Sequence, residues 1–144
     1  MKKFLVSSIL AAGVFGSVAL PSADAAIIKQ STQNFKLKTN SSDYMQGTSA
    51  LADGGGGTVL ATGITTLVGN GRGTSDSIKV SISAQVTGWG TPKTNSNSST
   101  TSNKVSTSVS LGPKDTSRQY GISSSHTALK GGGVIASGNT WTGW

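Results

Sequence analysis

His126 is the only histidine in the chain, and there is no cysteine and no glutamate. Beyond residue 25 the acids are Asp43, Asp53, Asp76 and Asp115. General acid–base chemistry needs paired titratable groups whose environments push their pKa values apart. These five residues are scattered, and Asp53 and Asp76 sit beside Gly or Ser, where an Asp usually bonds its own backbone in a turn. Serine is abundant enough for a Ser-His-Asp set to assemble in space. However, the Gly-x-Ser-x-Gly elbow that presents a nucleophile between strand and helix does not occur. His126, within Ser123-Ser124-Ser125-His126-Thr127, reads as a strand or loop edge rather than a catalytic base. The chain is therefore expected not to be an enzyme.

The same residues make a poor metal site. Zinc takes three or four His, Cys or carboxylate ligands, and calcium takes a run of clustered oxygens closed by a bidentate acid. Neither pattern is present, and no cofactor is expected. Gly69-Asn70-Gly71-Arg72-Gly73-Thr74 has the glycines of a phosphate cradle but not its Gly-Lys-Ser/Thr ending or the helix that should follow. Asn-Gly instead marks a tight turn. Nucleic-acid binding calls for a basic stripe interleaved with aromatics. Lys36 and Lys38 flank one such spot beside Phe35, but Arg118 and Lys130 are isolated, so no nucleic-acid partner is expected.

The aromatic and basic residues carry more. Trp89 stands between Gly88 and Gly90, and Trp141 and Trp144 lie near the end of the chain. A tryptophan exposed among glycines offers an apolar plate with a polar N–H, suited to stacking on a sugar ring or resting at a membrane interface. Trp141 is expected to close the core on a final strand. Trp89 and Trp144, with Lys93 and Arg72, are the expected binding residues.

These residues need a scaffold, and the chain opens with a segment that is not part of it. Met1-Lys2-Lys3 is basic, residues 4–20 are apolar, and Ala23-Asp24-Ala25 supplies small residues for cleavage before Ala26. That order is a secretory signal peptide. Its removal leaves residues 26–144 as a single β-rich domain with ten Lys and Arg against four Asp. Such a balance favours anionic partners. With no disulfide available, burial and strand pairing must hold the fold.

Period-2 alternation is clearest at residues 78–86. Ile78, Val80, Ile82, Ala84 and Val86 share one face, and Lys79, Ser81, Ser83 and Gln85 share the other. Residues 105–111 repeat the pattern, and residues 58–68 read as a more buried strand with Gly63 marking a bulge. The turn at Asn70-Gly71 would make 58–68 and 78–86 antiparallel neighbours. Shorter strands are expected at 34–39, 44–51, 119–129 and 134–141. Residues 87–104, with the tract Thr94-Asn95-Ser96-Asn97-Ser98-Ser99, read as a polar loop. The sum is an all-β fold, a small antiparallel β-sandwich or barrel of six or seven strands.

The functional expectation is a secreted, extracellular, non-catalytic protein that associates with anionic or carbohydrate polymers of the cell envelope. One alternative is an antimicrobial or pore-forming protein drawn to anionic membrane surfaces, with a 78–111 hairpin that inserts. Another is an extracellular structural protein that self-assembles through strand edges. Dye leakage from anionic vesicles, or concentration-dependent fibres, would separate these from a binding module.

Overall fold

The computed structural model describes residues 26–69 and 75–144, so the expected signal peptide at 1–25 and Arg72, with the turn expected at Asn70-Gly71, lie outside the described residues. The described residues form eight strands rather than the expected six or seven: β1 (Ala26–Leu37), β2 (Asn40–Asp53), β3 (Thr58–Val68), β4 (Ser77–Val86), β5 (Trp89–Ser99), β6 (Lys104–Pro113), β7 (Tyr120–Lys130) and β8 (Gly133–Gly143). They make two four-stranded antiparallel sheets, β1-β2-β3-β6 and β5-β4-β7-β8, that pack face to face. The result is a sandwich rather than a closed barrel. No helix of the described residues is long and apolar enough to cross a membrane.

Alternation builds the core as the sequence indicates. On β4, Ile78, Val80, Ile82 and Ala84 are buried while Lys79, Ser83 and Gln85 face solvent. On β7, Tyr120, Ile122, Ser124, His126 and Ala128 face inward. A bulge between β7 and β8 at Ala128/Leu129 lets the consecutive residues Ile135 and Ala136 both be buried. Met45, Leu51, Val59 and Leu67 complete the core from the first sheet.

Four expectations need correction. Strands β3 and β4 are not paired: β3 lies between β2 and β6, and β4 lies between β5 and β7. The link between them crosses from one sheet to the other. Two amphipathic strands adjacent in sequence can bury their apolar faces side by side or face to face, and alternation is the same in both cases. Residues 78–86 and 105–111 consequently form no hairpin, because β6 pairs with β3. Gly63 lies in an unbroken ladder, opposite Ser49 and Thr107. A Cβ there would stand 2.9 Å from both Ser124 Oγ and Val80 Cγ2, so glycine is required by the close approach of the other sheet.

The fourth correction concerns 87–104. Residues Trp89–Ser99 of this stretch form strand β5, paired with β4 from Ile78↔Ser99 to Val86↔Trp89. Almost every β5 side chain is exposed, so no apolar period marks the strand. Side chains hold its outer edge instead. Lys93 Nζ donates to the Ser110 carbonyl at 2.7 Å, Asn95 Nδ2 to Ser108 at 3.1 Å, and Asn97 Nδ2 to Ser106 at 2.9 Å. The oxygens of Asn95 and Asn97 accept from the N–H groups of Ser96 and Ser98, each at 2.9 Å. Each carboxamide thus spans the two sheets, using one end on β5 and the other on β6. The polar repeat that resembles a loop is a seam between two sheet edges.

Candidate functional site

Two clusters of chemically capable residues emerge, one inside the sandwich and one at its end. Inside, His126 is fully buried between the sheets, not at an edge. Its hydrogen bonds set its tautomer. Thr65 Oγ1 donates to the Lys79 carbonyl at 3.0 Å, which turns its lone pairs toward His126 Nδ1 at 2.8 Å. Nδ1 therefore carries the proton, and Nε2 accepts from Thr140 Oγ1 at 2.8 Å. Thr140 Oγ1 accepts in turn from Ser49 Oγ at 2.7 Å, and Ser49 accepts from Ser124 at 2.6 Å. Ser49 also reaches the Thr140 carbonyl at 3.1 Å. Burial lowers the imidazole pKa from 6.5 to about 4, which keeps the ring neutral.

A hydroxyl on an imidazole nitrogen is half of a nucleophile–base pair. Here it has no carboxylate partner in the network, and neither of the two clefts at the end of the sandwich is lined by His126 or Thr140. Its evident work is to satisfy polar groups at the sheet–sheet interface. Among the described residues no group of three His, Cys, Asp or Glu side chains could hold a metal ion.

The second cluster surrounds Tyr120 at one end of the sandwich. Tyr120 Oη donates to the Pro113 carbonyl and accepts from the Asp115 N–H, both at 2.9 Å, which pins the β6–β7 connection. Asp115 accepts from Ser117 Oγ at 2.6 Å and from Arg118 Nε at 2.8 Å. These bonds, the Ser117 hydroxyl first, lower the Asp115 pKa. They also orient Arg118, whose guanidinium lies 3.6 Å from the centre of the Trp89 ring. Trp144 stacks on Tyr120 at 5.2 Å between centroids, and its backbone N–H and C=O both pair with Tyr120. Lys114 Nζ lies 5.5 Å from the Trp144 ring.

An open cleft of about 350 Å³ lies beside this cluster. Trp141, Trp144 and Tyr120 line it, together with Lys29, Gln85, Thr87 and Gln119. Trp141 does not close the core as expected. It is 66% exposed, because Thr140 and Thr142 take the inward positions of β8 and leave residue 141 on the outer face. Its ring lies over the neighbouring backbone: a Cβ at Gly143 would meet the ring carbons at 2.8 and 2.9 Å, and a Cβ at Gly121 would lie 4.0 Å from Nε1. Neither glycine has positive φ. Their missing side chains give the indole room to lie against the sheet. A smaller cleft of about 140 Å³ lies on the far side of Tyr120, lined by Trp89, Arg118, Val86 and Leu111.

The outer face that bears Trp141 is unusually uniform. Cross-strand register places Ser83 and Ser123 in line with Trp141, Ser81 and Ser125 in line with Asn139, and Lys79 and Thr127 in line with Ser137. Strand β5 adds Thr94, Ser96 and Ser98 to the same three rows.

Of the expected binding residues, Trp89 is 63% exposed and Trp144 is half-buried at the cleft. Lys93 belongs to the β5–β6 seam, and Arg72 lies outside the described residues. The structure brings Trp89 and Trp144 to the same end of the sandwich through Tyr120. Trp141, Gln85, Gln119 and Lys29, which line the cleft, are not among the expected binding residues. The signal for Trp141 was available, since residues 140 and 142 are threonines able to face inward and Gly143 follows.

Fold and site together define a small antiparallel β-sandwich with an aromatic cleft at one end. No family model matches the chain, and neither the curated proteins nor the solved structures contain a significant match to it.

Proposed function

We propose that this is a secreted, non-catalytic protein that associates with anionic or carbohydrate polymers of the cell envelope. The observation that carries this reading is the cleft at the end of the sandwich, which the exposed Trp141 lines together with Lys29, Gln85, Gln119 and Thr87. Charge supports it. Lys29, Lys36 and Lys38 are exposed along and just beyond β1, whereas Asp43 is buried, Asp53 faces Lys114 at 3.7 Å and Asp115 is held by Arg118. The outward field is therefore cationic on the flank that leads to the cleft. Long-range attraction would collect the protein on a polyanion, and aromatic stacking would supply short-range affinity.

The test is sedimentation of the protein with isolated cell walls across a salt series. Binding that weakens as salt rises, and weakens further in Lys29→Ala, is the expected result. Absence of binding at low salt would overturn the reading.

A further inference from the structure

We propose that the cleft and the hydroxyl-bearing face beside it bind a neutral, linear, β-1,4-linked glycan, with one sugar ring stacked on Trp141. The proposal rests on the envelope-binding reading above and names the polymer. An indole lying over Gly143 presents a whole exposed ring face, the shape complement of the C–H face of a pyranose. Gln85 and Gln119 border the same cleft with amides that both donate and accept, as vicinal sugar hydroxyls require.

The ligand is a chain rather than a single sugar because the cleft is open and shares Trp141 with the polar rows of the outer face. Ser83 and Ser123 lie in line with Trp141, and Ser81 and Ser125 form the next row. These groups are short and evenly spaced by the strand geometry, about 4.8 Å between strands. A straight β-linked glycan can lie along such a surface, whereas a coiled α-linked one leaves it. The three rows carry a single cation, Lys79, and no acid, and Lys29 is the one charged residue that lines the cleft, so uncharged donors and acceptors dominate the surface and suit a neutral polymer.

The test uses residues 26–144 titrated with the hexasaccharides of β-1,4-linked N-acetylglucosamine and of β-1,4-linked glucose, and with the α-1,4-linked glucose hexamer. Tryptophan fluorescence and calorimetry are the readouts. At least one β-1,4 hexamer should bind saturably and independently of salt. Affinity should fall about tenfold or more in Trp141→Ala, and similarly in Gly143→Val, whose Cβ would meet the indole at 2.8 Å and displace it. Circular dichroism identifies any variant that has lost the fold. Equal binding of the α-linked hexamer, or unchanged affinity in Trp141→Ala, overturns the proposal. If no hexamer binds while salt-sensitive wall sedimentation persists, the glycan assignment fails and the charge-driven reading stands. If neither occurs, both fail.

Discussion

His126 Nε2 accepts a hydrogen bond from Thr140 Oγ1 at 2.8 Å, with both groups buried between the two sheets. The pair links β7 to β8, and His126 Nδ1 carries the connection across to Thr65 on β3. Burial, which strips the ring of water, is what keeps the imidazole neutral. Protonation would place a charge inside the sandwich with no acid beside it.

Stability should therefore depend on pH through His126. The folded chain resists protonation until about pH 4, while the unfolded chain takes up that proton near 6.5. The unfolded state binds more protons between these values, so stability is complete above 6.5 and declines as pH falls toward 4, by roughly 3 kcal/mol. Urea midpoints measured across this window should drop for the native chain and drop less for His126→Gln. Parallel curves for the two would remove His126 from the account.

Gly47 and Gly63 should resist enlargement. Each would direct a Cβ into the facing sheet, Gly47 into the His126 ring and Gly63 into Ile82, Val80 and Ser124. Overpacking of this kind costs about 1–3 kcal/mol. Gly47→Ala and Gly63→Ala should each lower the melting temperature, whereas Gly88→Ala, at a turn with open space around it, should show only the smaller cost of its positive φ. Thermal denaturation of the three side by side decides the matter.

The β5–β6 seam predicts an edge phenotype. Replacing Asn95 and Asn97 with alanine removes two donors to β6 and two acceptors for β5. Exposed edges of this kind invite pairing with other chains. The double variant should show faster hydrogen exchange at Ser96 and Ser98 and concentration-dependent light scattering absent from the native protein. Unchanged protection at those amides would mean that pairing with β4 alone secures the strand.

Tyr120→Phe should loosen the far end without unfolding the sandwich. The ring remains to stack on Trp144, but the bonds to the Pro113 carbonyl and the Asp115 N–H are lost. A loss of about 1–2 kcal/mol is expected. Arg118, oriented through Asp115, should then sit less firmly on Trp89, so Trp89 emission should change. Emission and stability identical to the native chain would show that the connection is held by other contacts.

Much of the scaffold was legible in the residues. Strands with one apolar face announce themselves, and residues 78–86 and 105–111 do so because burial on one side and water on the other impose a two-residue period. Strand β5 was not legible, because it buries almost nothing and is held by side-chain amides that composition cannot distinguish from those of a loop. Trp89 and Trp144 were identified from their neighbours, yet their roles beside Arg118 and Tyr120 depend on contacts between distant segments.

By itself the sequence determined an all-β domain without disulfides, its strongest strands and its basic balance, all of which follow from local pattern and composition. Only the tertiary structure decided which strands pair and which merely face each other, because alternation marks a buried face without saying what covers it. It likewise decided that His126 lies inside and Trp141 outside. On a strand those fates differ by a single residue of register, and register is set by partners far away in the chain.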